Sequence, residues 1–237
     1  MKRFYKTVSV EEDMLGHAVA LDGKPVRTPK GALLVLPRPE LAEAIAEEWR
    51  GQGKELKPAA MRLTRYATTT VDLMPQRRAD VIAEVAGFAG SDLLCYRAET
   101  PVDLVIRQQN AWQPLLDWAH ERYDARLVPT GGVIFEGQPR EAIARLTAAV
   151  EAVPDWPLVG LHAMTASLGS VVLGLALFEG RLDAEAAWKL SLLEELYTAE
   201  RWGDDAEAAD RRAGILDDLK AAERFAVFTR ELTDILN

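Results

Sequence analysis

The sequence predicts an α+β protein: a small strand-rich, two-layer N-terminal domain over residues 1–58, followed by a larger all-α helical-bundle domain over residues 59–237. Three observations predict it. Asp22-Gly23 stands between short apolar runs, and both residue types tolerate the positive φ that a two-residue hairpin turn demands. After Pro37 the apolar period changes from that of a strand to that of a helix. From Ala59 to the end, no convincing alternating segment appears.

In the head, Phe4–Val10 is rich in β-branched and aromatic residues and reads as a strand. Ala18–Leu21 and Lys24–Thr28 flank the Asp22-Gly23 turn, and Leu33–Leu36 reads as a short buried strand. Leu41, Ala44, Ile45 and Trp49 then mark one face of a helix, which packs on the sheet to bury both apolar faces. Trp49 on that face is assigned to structure, and its loss is expected to leave a cavity costing roughly 3–5 kcal/mol. Gly51-Gln52-Gly53-Lys54 ends the helix. It is not a phosphate loop, because Glu48 stands where that motif needs Gly.

In the tail, Leu63–Leu73 and Ala79–Ala89 read as short helices joined near Pro75. Asp92–Arg97 is an apolar run bracketed by charge. Thr100-Pro101-Val102-Asp103 is a helix start, with a cap, a first-turn proline and an acid facing the positive helix end. Val105, Trp112, Leu116, Ala119 and Tyr123 share one face of that helix, and Pro114 is expected to kink or restart it. Thr130-Gly131-Gly132 makes Arg126–Phe135 irregular or weakly extended, and Glu141–Val150 is helical.

Leu158–Phe178 is a 21-residue run without Asp, Glu, Lys or Arg, long enough to span a bilayer. His162, Thr165, Ser167 and Ser170 interrupt it. Gly160, Ala163, Ser167, Ser170 and Gly174 form a narrow face of small residues that admits close helix neighbours. No second apolar span or basic flank accompanies it. A buried central helix, without membrane insertion, is the expectation. Asp183 caps the next helix, striped by Ala186, Leu190, Leu193 and Tyr197, and Trp202-Gly203-Asp204-Asp205 closes it. Beyond Gly214, the residues Ala221, Phe225, Phe228, Leu232 and Ile235 mark a final amphipathic helix.

The chain has 237 residues, 49% hydrophobic and 27% charged, which suffices for a sizeable core. A net charge of −9 argues against tracking nucleic-acid phosphates. The single Cys95 excludes an internal disulfide and fits a reducing compartment. The opening residues have neither the apolar core of a signal peptide nor the character of a transit peptide, so the bacterial cytoplasm, or an organelle after processing, is the expected location.

Little in the sequence carries catalytic chemistry. His17, His120 and His162 lie far apart with no paired ligand at helical spacing, so no metal site and no cofactor is expected. Cys95 has no His nearby in sequence and reads as a small buried thiol. Gly169-Ser170 does not make a nucleophile elbow. Glu194-Glu195 and Asp217-Asp218 are adjacent pairs that point apart on a helix and read as solvated surface. Asp204-Asp205 differs, because it lies beside Trp202 at a helix end. An aromatic next to fixed charge suits a contact anchor for another protein, and on spacing alone a helix terminus with solvated acids fits as well; a hydrolase-type enzyme using these acids is the functional alternative.

Several motifs stand in a fixed order. They are Val19–Pro29, Glu48-Trp49 with Gln52, Asp92-Leu93-Leu94-Cys95-Tyr96-Arg97, and Gln108 through Trp118 with Trp112 at its centre. The late ones are Leu168-Gly169-Ser170, Leu193–Tyr197 and Trp202-Gly203. In this order and spacing the chain resembles the assembly chaperones of F-type ATP synthase that handle the alpha subunit of the soluble catalytic sector, known from mitochondria and alphaproteobacteria. Thr198 and Asp204 depart from that pattern, which commonly has Gln and Glu there.

The resemblance implies a monomeric two-domain protein that is not an enzyme. It would bind the unassembled alpha subunit, shield the apolar surface that the beta subunit later covers, and be displaced by that subunit. It implies a cytoplasmic protein in bacteria and a matrix protein among organellar relatives. Trp202, Gly203, Asp204, Asp205 and Glu207 are the expected partner-binding residues.

Overall fold

The computed structural model describes residues 1–13, 15–132 and 137–230. The fold is α+β, strand-rich at the start and helical thereafter. Strands β1 (Val8–Asp13) and β2 (Gly16–Leu21) form an antiparallel hairpin with Val10 opposite Val19. Asp22 and Gly23 take φ of 49° and 75°, the two left-handed steps that return the chain into β3 (Lys24–Pro25). β4 (Val35–Leu36) also pairs with β2. The first strand therefore begins at Val8 rather than Phe4. Phe4 stays exposed while Tyr5 donates its hydroxyl to the Trp49 carbonyl at 2.6 Å.

Helix α1 (Pro39–Arg50) buries Leu41, Ala42, Ala44, Ile45 and Ala46 and packs on β1 and β2. Near its end the Glu48 carboxylate accepts from the Leu63 and Thr64 N–H groups at 2.8 Å each. It also accepts from the Thr64 hydroxyl at 2.7 Å, and so caps α2 (Arg62–Gly87). Burial raises the Glu48 carboxyl above its ordinary range, and the bonds from Thr64 and Leu63 oppose that rise.

α2 runs unbroken through Pro75, where two shorter helices are expected, and Met74 beside that proline is buried. Likewise α3 (Val102–Tyr123) continues through Pro114, buried there through Trp112, Leu115 and Leu116. In each case burial along the helix offsets the one lost backbone bond. α4 (Arg140–Glu151) follows.

The apolar run is divided, contrary to the expected single helix. α5 (Asp155–Leu168) stops at Gly169 with φ of 65°, and Ser170 caps α6 (Val171–Phe178), accepting from Leu173 N–H at 3.0 Å. A Cβ added to Gly174 would lie 2.3 Å from Thr165 Oγ1, so α6 turns back against α5 at the small-residue face. The following helix is also split, into α7 (Ala184–Ser191) and α8 (Leu193–Trp202) at Leu192. α9 (Ala206–Arg230) passes through Gly214 and starts well before the expected final helix. The expected stripe positions Leu232 and Ile235 lie outside the described residues. The tail is not purely helical: β5 (Tyr96–Arg97) pairs in parallel with β6 (Thr130–Gly131).

The chain forms two compact units, which do not coincide with a single cut after Pro58. One comprises Met1–Arg78, Pro154–Gly160 and the described part of Arg224–Asn237. It holds the four-stranded sheet and α1, and buried Phe225 meets Tyr66 and Trp156 at ring separations of 5.5 and 6.1 Å. The other comprises Ala79–Val153 and Leu161–Glu223. Its core includes Leu94, Trp112, Leu146, Met164 and the apolar face of α6. The first unit thus draws in helical segments remote in sequence, for which Glu48 and Phe225 supply the physical ties.

Candidate functional site

Trp202, the last residue of α8, is 75% exposed. Gly203 ends the helix at φ 93°, a value at which a side chain would be strained, and its N–H donates to the Ala199 carbonyl at 3.0 Å. Asp205 caps α9 by accepting from Ala208 N–H at 3.0 Å, and Glu207 is exposed in the first turn. The structure thus brings the five expected contact residues together at one helix–helix corner.

It also assigns Asp204 a role the sequence did not suggest. Its carboxylate accepts from the guanidinium of Arg212, whose side chain is only 5% exposed. Arg212 donates in addition to Glu195 at 2.7 Å, and Arg211 pairs with the same Glu195. Those arginines, Arg211 foremost, hold the Glu195 carboxyl below its ordinary range. Glu195 is therefore a structural ligand of arginine rather than solvated surface. Its neighbour Glu194 accepts from buried Gln108. The signal for this was the Arg211-Arg212 pair seven and eight residues after Asp204, across a helix start.

Beside the corner lies a groove of about 900 Å³ lined from α3, α7 and α8. Ala111, Trp188, Leu193, Leu196 and Ala199 supply its apolar walls, and Arg107, Lys189, Glu200 and Asp204 its charged lining. The Trp188 indole N–H donates to the Arg212 carbonyl at 2.8 Å. Behind α8, Tyr197 donates its hydroxyl to Asp103 at 2.9 Å, and Asp103 pairs with Arg201.

The remaining motif residues build structure. In the strand-rich unit, the Trp49 ring stands edge-on to Tyr5 at 5.6 Å, and its buried indole nitrogen has no hydrogen-bond partner among the described residues. Gln52 holds the loop after α1, accepting from Lys57 N–H at 2.7 Å and donating to the Glu48 carbonyl at 3.1 Å. In the helical unit, fully buried Asp92 accepts from Ser170 Oγ at 2.7 Å, Leu94 N–H at 3.0 Å and Val172 N–H at 3.1 Å. Cys95 is buried, and burial pushes its thiol up to about 12, the reverse of an activated nucleophile.

Tyr96 and Arg97 form β5. Arg97 donates to the carbonyls of Leu94 and Gln108 at 2.8 Å each and lies over the Trp112 ring. Gln108 accepts from Ala98 N–H at 2.8 Å, and the Trp112 indole donates to the Leu190 carbonyl at 2.9 Å. Trp118 packs edge-on against Tyr123, with Arg181 over its ring. Among the described residues no group of His, Cys, Asp and Glu could hold a metal ion, and no helix is long and apolar enough to cross a membrane.

Comparison with known proteins places this architecture among relatives. A family model described as ATP12 chaperone protein matches residues 2–120. The Schizosaccharomyces pombe protein named "Protein atp12, mitochondrial" is 24% identical over 223 residues, covering 88% of this chain and 77% of its own length. The crystal structure of Atp12 from Paracoccus denitrificans superposes with a TM-score of 0.89 at 40% identity, over 97% of this chain and 98% of that one. A protein of Agrobacterium tumefaciens gives a TM-score of 0.91 at 42% identity, over 96% and 85% of the two chains.

Proposed function

Because the chain belongs to the ATP12 chaperone family, a family of chaperones rather than enzymes, we propose that it holds the unassembled alpha subunit of F-type ATP synthase until the beta subunit displaces it. The observation that carries the reading is likeness at 40% identity over 97% of the chain. A ring subunit before assembly exposes an apolar face that its neighbour will later cover, and such a face promotes aggregation. A protein that binds it stabilises the soluble subunit by mass action, without fuel. Release needs only a beta subunit that binds the same face better. The chaperone acts as a monomer in a one-to-one complex, in the bacterial cytoplasm or, for organellar relatives, the matrix.

Residues 59–237 carry the contact in this proposal, with Trp202, Gly203, Asp204, Asp205 and Glu207 at or near it, and residues 1–58 do not. The hydrolase alternative lacks a working pair of acids: Asp204 is committed to Arg212 and Asp205 to the cap of α9.

The test is light scattering of purified alpha subunit at a temperature where it aggregates, followed by size-exclusion chromatography. Suppression with a one-to-one complex that disperses on adding beta subunit is expected. Absence of both effects would refute the proposal. Glu207→Lys reverses charge at an exposed position and is expected to weaken the complex with the thermal midpoint unchanged. Asp204→Lys opposes Arg212 and is expected to lower both.

A further inference from the structure

The groove beside the acidic corner presents apolar walls to the outside. We infer that it receives apolar side chains of the client polypeptide and that the client's contact face there is uncharged; this rests on the chaperone reading above. The apolar walls are half-buried rather than covered by other parts of the chain, and the space, about 900 Å³, takes several side chains rather than one.

Exposed apolar residues gather beside it. Val102 and Ile106 stand 71% and 54% exposed, one turn apart on α3, the helix that also supplies Ala111 to the groove. Trp202 stands at the end of α8, and the Asp103–Arg201 ion pair ties that end to the start of α3. Three of the eight large hydrophobics exposed among the described residues thus come from α3 and α8, two of the three helices that line the groove. Apolar surface collected in this way marks an interaction site for protein.

The charges decide what kind of partner fits. Arg107 pairs with Glu200 at 2.7 Å, Lys189 with Glu185 at 2.6 Å, and Asp204 with Arg212. Each charged group lining the groove is matched within the chain, so no excess charge waits for an opposite one. The matching occupant is apolar and neutral. Asp204 then acts at one remove, as a positioning residue. It holds Arg212, and the Arg212 carbonyl fixes the Trp188 indole that forms one wall.

The test exploits the buried, inert Cys95: Asn110→Cys places a reactive thiol at the exposed edge of the groove. An environment-sensitive fluorophore on that thiol is followed in the full chain while alpha subunit, beta subunit or reduced lactalbumin is added. Alpha subunit is expected to shift the emission to the blue. The blue shift at saturating alpha subunit should persist between about 0.05 and about 0.5 M NaCl, because screening acts on the charges of the corner and not on apolar contact in the groove. Ala199→Trp and, from the opposite wall, Ala111→Trp fill the groove; each variant that keeps a cooperative thermal transition is expected to weaken binding about tenfold or more.

If alpha subunit co-elutes with the protein while the label stays silent and both filled variants bind normally, the groove inference falls and the client assignment stands. If alpha subunit does not bind but another client shifts the label, the client assignment falls and the groove stands. A label that nothing moves, with no alpha subunit co-eluting, overturns both. A shift that grows with chaperone concentration alone identifies a second copy as occupant, and a blue shift that salt abolishes at saturating alpha subunit identifies a charged one; either result overturns the inference.

Discussion

Asp92→Asn is the substitution whose effect can be worked out furthest. The carboxylate has no contact with water and accepts from Ser170, Leu94 and Val172. Burial outweighs those bonds and raises its carboxyl to about 6, against about 3.9 in an unfolded chain. Between these values the folded protein binds a proton that the unfolded chain does not, so acidification stabilises the fold. The slope approaches about 1.4 kcal/mol per pH unit, and the whole window is worth about 3 kcal/mol, fully present below about pH 4 and lost as pH rises through about 6.

Asparagine has no such titration. The stability of the parent minus that of the variant, from urea unfolding at steps of pH between 7 and 4, is expected to grow by about 3 kcal/mol on acidification. At neutral pH the variant is expected to lose about 1–3 kcal/mol, because its amide N–H₂ must face a donor that the carboxylate had accepted. Groups common to both proteins cancel in the difference. A difference that stays flat would refute the reasoning, since the carboxylate would then remain ionised while buried, its hydrogen bonds winning over desolvation. A difference that shrinks would place the carboxyl below its ordinary range.

Gly174→Ala sets a Cβ 2.3 Å from Thr165 Oγ1 and 3.2 Å from its Cα, and is expected to cost about 1–3 kcal/mol by overpacking. Gly214→Ala, inside α9 with nothing within 4 Å of the new Cβ, is expected to stabilise by up to about 1 kcal/mol; calorimetry should move the two midpoints in opposite directions. Cys95 should resist a thiol reagent in the folded protein at pH 8 and react with one equivalent after unfolding, because burial suppresses its thiolate. Trp49→Phe removes an indole N–H that makes no hydrogen bond to the described residues and is expected to leave stability within about 1 kcal/mol, whereas Trp49→Ala is expected to lose roughly 3 kcal/mol or more; chemical denaturation checks both.

Features encoded locally were legible in the sequence. Asp22-Gly23 turned where two left-handed residues allow it, and the Leu41–Ile45 face of α1 was buried as its spacing required. Features decided by tertiary contact were not. Pro75 and Pro114 looked like helix breaks because a proline's cost is local, while the burial that offsets it comes from elsewhere in the fold. β5 and β6 are two residues each and more than thirty apart, too short to show a period.

The candidate site was legible as a place but not as a mechanism. Trp202 and its acids do meet at one corner, yet the groove draws Ala111 from a helix some ninety residues earlier, and the partner of Asp204 is a cation on the next helix.

The turn at Gly169 has a consequence for where this polypeptide can go. As one helix, the run from Leu158 to Phe178 would reach about 31 Å at about 1.5 Å per residue, the thickness of a hydrocarbon layer. Divided, it falls in two helices of 14 and 8 residues, the first beginning three residues before the run; they are about 21 and about 12 Å long, and neither reaches across. The apolar side chains of α6 are instead spent on the protein's own interior, its residues Val171–Leu177 all buried. One left-handed residue thus converts a membrane-length word into two short ones, and the run's hydrophobicity is directed to the core by its punctuation rather than by its composition.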